Sequence, residues 1–225
     1  MTAAQAQALS IAVGEERVSA LALLPLQPKA AYVLAHGAGA GMTHPFLEAA
    51  ARGLFERGVA TLRFQFPAME RGSKRVDTPK VAQAAVRAAV AEAARRFAGL
   101  PLFAGGKSFG GRMSSQAQAQ APLEDVRGLA FLGFPLHAAG RPSAERAAHL
   151  DRVKIPMLFL QGSRDDLAHL ELLEPAIASL GARATLVVLA DADHAFHVPA
   201  RSGRKDDDVL AEALDALARW IDANR

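Results

Sequence analysis

The chain has 225 residues, 51% hydrophobic and 22% charged, with a formal net charge of +3 and no cysteine. This composition fits a single globular α/β domain, and the missing cysteines exclude disulfides, thiolate metal sites and a cysteine nucleophile. The positive charge is scattered except in two short basic runs, residues 71–75 and 201–205. Neither is interleaved with aromatic residues, so both read as solvated loops and no nucleic-acid partner is expected.

At the N-terminal end no basic segment precedes a long apolar core, and no run of about 18 apolar residues occurs anywhere. A cytoplasmic protein with no membrane partner is expected, with residues 1–7 disordered and the rest of 1–225 forming one domain, as a monomer or homodimer. Residues 9–13 and 18–24 flank Gly14-Glu-Glu-Arg17 and read as a hairpin. Residues 31–35 form a short buried strand, followed by the glycine-rich loop His36-Gly-Ala-Gly-Ala-Gly41. A helix over 46–57 closes at Gly58, and 59–66 returns as a strand. Thr78-Pro79 starts a helix with core positions Val81, Ala85, Val86, Ala89, Val90, Ala93 and Phe97, ended by Gly99.

Beyond it, 101–104 is a strand, 109–120 a helix, and 127–134 and 155–160 are strands. A helix over 167–180 closes at Gly181, and 184–189 is the last strand. The final helix opens at Asp206-Asp-Asp208, where carboxylates suit the positive end of the helix dipole. Its core face is Val209, Leu210, Ala213, Leu214, Leu217, Trp220 and Ile221. Strands that are continuously apolar belong to a sheet covered on both faces, hence mostly parallel. Their alternation with helices makes it doubly wound, with about eight strands and an antiparallel N-terminal hairpin. Residues 137–151 are too few for a separate cap domain, so little or no lid is expected.

The stretch Gly105-Gly-Lys-Ser108-Phe-Gly-Gly111 allows two chemical readings. A phosphate-binding loop, G-x-x-x-x-G-K-[ST], would need glycine at position 101, which is Pro101, and an open loop where Leu102-Phe-Ala104 reads as strand. The nucleophile elbow G-x-S-x-G fits at Gly106, Ser108 and Gly110, with Gly111 behind it, between a strand and a helix. Such a turn forces the serine to positive φ and crowds the residues two before and two after it, so both must lack a side chain.

A serine hydroxyl needs a base to take its proton and a carboxylate to hold the base. In strand-end order, Asp165 is the carboxylate candidate, with Asp166 as the alternative, and His194 is the base. His197 reads as a surface-loop histidine, and Asp191 and Asp193 as solvated turn residues. The oxyanion needs two backbone N–H groups. Phe109 supplies one and the loop after the early strand the other, from Ala38 or alternatively Gly39. His36 then braces the loop, with Gly37 and Gly39 supporting it. Spacing gives His44, Arg63 and His137 no specific role.

Six segments together resemble the α/β-hydrolase superfamily: HGAGAGMTHPF from His36, RFQFPAMERG from Arg63, GGKSFGGRM from Gly105, LGFPLHAAGRP from Leu132, LQGSRD from Leu160 and DADHAF from Asp191. They are most similar to the dienelactone-hydrolase-like, or predicted-hydrolase, branch, which also includes a subunit of the chromatin non-specific-lethal complex. The resemblance runs from about residue 31 onward and implies Ser108, Asp165 and His194 as a catalytic triad. It departs at Asp166, where the family often has proline. Dienelactone hydrolases proper use a cysteine nucleophile, which this chain lacks. The expectation is a small serine esterase acting on a small-molecule ester or thioester through an acyl-enzyme on Ser108, with no metal and no cofactor. A hydrolase-fold interaction protein and an acyltransferase are the alternatives.

Overall fold

The computed structural model describes residues 5–73 and 75–225, so residues 1–4 of the expected disordered segment and Lys74 of the first basic run lie outside the described residues. Among the described residues, eight strands combine with six helices. The strands are β1 (Gln7–Val13), β2 (Glu16–Leu23), β3 (Ala30–Ala35), β4 (Val59–Phe64), β5 (Leu102–Lys107), β6 (Val126–Leu132), β7 (Met157–Gly162) and β8 (Ala184–Leu189). The helices are α1 (Pro45–Glu56), α2 (Pro67–Glu70), α3 (Pro79–Arg96), α4 (Phe109–Gln120), α5 (Leu170–Ala178) and α6 (Asp206–Asn224).

All strands join one sheet in the order β1-β2-β4-β3-β5-β6-β7-β8. The β1–β2 and β2–β4 pairs are antiparallel and every other pair is parallel. Gln7 already pairs with Ala22, so the hairpin starts inside the segment expected to be disordered. The strands β3, β4, β5 and β7 are buried at every position. Such strands have no polar face to offer water, and helices cover both sides. On one side Val86, Ala89, Met113, Ala117 and Ile177 from α3, α4 and α5 fill the core. On the other, Leu47 and Leu54 of α1 meet Val209, Leu214 and Leu217 of α6. Each buried leucine or valine there contributes roughly 2 kcal/mol of transfer free energy.

Small residues let the central strands approach closely. Gly105 carries no side chain, and Tyr32 reaches across it to donate its hydroxyl to the Ala130 carbonyl at 2.8 Å. Burial raises the pKa of that phenol above the ordinary tyrosine range, so it stays a donor. Tyr32→Phe is expected to cost about 1 kcal/mol, read as a lower denaturant midpoint at unchanged slope.

Between β6 and β7 the chain forms an isolated β-bridge, Ala138 to Arg141, and two 3-10 turns, Glu145–Ala147 and Leu150–Arg152, with no lid-like insert. None of the helices among the described residues is long and apolar enough to cross a membrane. The carboxyl ends of the parallel strands therefore open directly onto loops, the place where α/β sheets form their binding crevices.

Candidate active site

At the end of β5 the chain reverses into α4 with Ser108 at the corner, at φ 49° and ψ −116°. Non-glycine residues rarely occupy this region, and the strain lifts the side chain clear of the sheet. The corner is packed from below. A Cβ on Gly106 would lie 2.2 Å from the Ala35 carbonyl oxygen, and one on Gly110 would lie 2.6 Å from the same oxygen. Gly111 faces the backbone of Gly106 in the same way, at 2.8 Å.

Three strand ends bring their side chains together there. The Ser108 hydroxyl donates to His194 Nε2 at 2.8 Å, and His194 Nδ1 donates to Asp165 Oδ2 at 2.7 Å. This arrangement requires neutral His194 to carry its proton on Nδ1, which leaves Nε2 free to accept. The Asp165 side chain is fully buried. It also accepts Leu167 N–H at 2.8 Å and Gln161 Nε2–H at 2.5 Å, so its lone pairs are satisfied without water. Gln161 is itself fixed by accepting Phe134 N–H at 2.8 Å. Asp166, the alternative carboxylate, is exposed and outside this chain of hydrogen bonds.

His194 sits in a turn shaped by Asp193, whose Oδ1 accepts the N–H groups of Ala195 and His197 at 2.7 and 3.0 Å. His197 points away onto exposed Asp206, at 2.9 Å, and that hydrogen bond raises its pKa. Asp191 is exposed at a turn with φ 61°. None of these three contacts Ser108.

The loop after β3 closes the other side of the site. Ala38 lines a cleft with Ser108 and, on its other side, a small recess with Phe109. Among the described residues, neither the Ala38 nor the Phe109 amide donates to a protein acceptor. Two unspent donors flanking a serine are what an oxyanion requires. The side chain of His36 donates from Nδ1 to Gly37 O at 2.7 Å and accepts Phe66 N–H on Nε2 at 3.1 Å. Burial lowers its pKa, which suits this neutral bracing role. Gly39, at φ 70°, makes the turn that follows.

Sequence reasoning left several supporting residues unassigned. Arg63 and Gln65 hold both backbone groups of Met42, the guanidinium donating to its carbonyl at 3.0 Å and the amide oxygen accepting its N–H at 2.7 Å. Asp77 accepts Ala68 N–H at 2.9 Å and pins α2 beneath the recess. Gln161 follows directly from its place at the end of β7, two residues before the loop that carries Asp165. Arg63 and Asp77 had no local signal, because their partners are distant backbone groups. Among the described residues no three His, Cys, Asp or Glu side chains gather in a metal-binding arrangement.

The cleft over Ser108 has a volume of about 350 Å³ and is walled by Ala40, Phe46, Leu47 and Leu167, with His44 at its edge. It lies at the small end of ordinary ligand pockets and is mostly apolar.

A family model described as an alpha/beta hydrolase domain matches residues 28–222. Among solved structures, a dienelactone hydrolase from Anabaena variabilis is similar at a TM-score of 0.80 and 22% identity, covering 98% of each chain. A serine hydrolase without lid from Xanthomonas campestris is similar at a TM-score of 0.74 and 22% identity, over 96% of this chain and 95% of that one. An esterase domain from Rhodothermus marinus matches at 0.73 and 18% identity, over 96% and 97%. At such identities these likenesses show the fold.

Proposed function

The chain belongs to the alpha/beta hydrolase domain family, and on that premise we propose that it is a serine hydrolase cleaving a carboxylic ester or thioester of a small substrate through an acyl-enzyme on Ser108. One observation carries the reading: an unbroken line of hydrogen bonds from Ser108 through His194 to buried Asp165, assembled on a strained elbow. The serine-hydrolase and esterase structures that it resembles in fold agree with it.

In this mechanism His194 Nε2 takes the hydroxyl proton as Ser108 Oγ attacks the acyl carbon. The carbonyl oxygen becomes an oxyanion held by the Ala38 and Phe109 amides, and Asp165 stabilises the imidazolium that has formed. Collapse breaks the bond to the alcohol, which leaves with the proton from His194. Water then repeats the sequence on the acyl-enzyme and regenerates Ser108. The small apolar cleft favours short acyl chains.

The test is steady-state hydrolysis of a series of p-nitrophenyl esters from acetate to laurate. The highest kcat/KM should lie at the short end, and a protein that hydrolyses none of them would overturn the reading. Asp165→Asn supplies a second arm. An amide N–H facing Nδ1 would turn it into an acceptor and move the proton to Nε2, which then cannot take the serine proton. The expected loss of kcat is on the order of 10⁴-fold, and the melting temperature should fall by several degrees, because the same amide would also face the Gln161 Nε2–H that Asp165 Oδ2 accepts.

A further inference from the structure

Lys107, the last residue of β5 and the direct neighbour of Ser108, has an environment that triad chemistry does not account for. It is 91% buried. Its ammonium donates to the backbone carbonyl of His194, and it lies 5.5 Å from the ring centre of Phe46 and 5.1 Å from that of Phe196. Gly133 leaves the space it occupies, since a Cβ there would lie 2.8 Å from Nζ and 3.4 Å from His194 Cε1. An ammonium is an expensive way to fill a gap between two phenylalanines, because burying a charge costs far more than burying a methyl group. What it gains there is a charge-assisted hydrogen bond to the one residue whose ring must stay aligned with Ser108.

The turn around His194 makes that bond matter. Asp193 organises the amides of Ala195 and His197 but does not touch the His194 carbonyl. Among the described residues, Lys107 is the one donor to that carbonyl. We propose that Lys107 is a positioning residue of the reaction: its ammonium, anchored between Phe46 and Phe196, holds the His194 turn in register and so keeps the imidazole in line with Ser108. The inference rests on the serine-hydrolase reading and deepens it.

The charged form is the stronger donor, so the hold should loosen where Lys107 loses its proton. Desolvation lowers its pKa to about 8, opposed by the charges of Asp165 and Asp193. The other titratable groups around it are His194 itself and His44, which lines the same cleft. Activity is therefore expected to fall on the alkaline side near pH 8.

Lys107→Met keeps a long unbranched side chain, one atom shorter, and removes the charge and the donor. The expected result is a kcat lowered about 100-fold, the scale of a slightly misplaced catalytic group, with KM little changed and the alkaline limb near pH 8 gone. The second readout is the downfield proton resonance of His194 Nδ1–H. In wild-type protein it should shift or broaden as pH passes through 8, and Lys107→Met should already show the altered signal at pH 7. An unchanged kcat and pH profile, or a wild-type resonance indifferent to pH around 8, would overturn the proposal. The resonance needs no turnover, so a protein that hydrolyses no ester would refute the hydrolase reading while the resonance still decides the role of Lys107. The wild-type titration also decides it if the variant fails to fold.

Discussion

Ser108→Ala is expected to lower kcat on an activated ester by 10⁴-fold or more, the loss seen when a triad nucleophile is removed. The effect should be confined to chemistry. The Ser108 hydroxyl has one hydrogen-bond partner among the described residues, His194 Nε2, so its removal unpairs nothing in the core. Alanine at φ 49° carries the same backbone strain as serine, and the elbow should hold its shape. The melting temperature should therefore stay within a few degrees of wild type. Turnover that survives the substitution would mean that another group performs the attack. Turnover lost together with cooperative unfolding would mean that Ser108 supports the fold.

Gly106→Ala is expected to do the opposite and abolish the fold. The added Cβ would sit 2.2 Å from the Ala35 carbonyl oxygen and 2.7 Å from Ala35 N, both backbone atoms of the neighbouring strand β3. No flexible side chain can yield, so β3 and β5 would have to part at the centre of the sheet. The φ of 141° is also one that alanine resists. A loss above about 4 kcal/mol follows, a large part of the stability of an ordinary domain. Gly39→Ala is the control: its φ of 70° is also positive, but a Cβ there meets no atom within 4 Å. It should cost on the order of 1 kcal/mol, from backbone strain alone. Circular dichroism melts of the two variants separate the cases. A cooperatively folded Gly106→Ala protein would show that the elbow is less crowded than its geometry implies.

The alternation of strands and helices was legible in the sequence because most elements are long enough to show their period; α2, with four residues, is not and was missed. The ends were less so. β5 runs on through Gly105, Gly106 and Lys107, three residues past the expected end. Paired glycines argue against strand by propensity, yet here they extend it, since only a bare backbone fits beside Ala130 and Ala35. α5 starts at Leu170 rather than Leu167 because Asp165 closes a separate turn on Leu167 N–H and Ala168 N–H, after which His169 is non-helical at ψ 127°. β7 begins after Pro156, which has no N–H to give a ladder.

The candidate site was legible where residue type and strand end coincide, as for Ser108, Asp165 and His194. Its supports were not. Gln161, Asp77 and Arg63 each act on a backbone group or side chain brought near only by the sheet order, and Lys107 acts on a carbonyl 87 positions away.

The most direct test of the central claim is labelling with a fluorophosphonate probe, with the adduct mapped by mass spectrometry. Such probes react with a serine only when a neighbouring base activates it. One adduct, on Ser108 and missing from the Ser108→Ala protein, is expected. A folded protein that takes up no probe, or an adduct that persists in the Ser108→Ala protein, would contradict the assignment of Ser108 as the nucleophile.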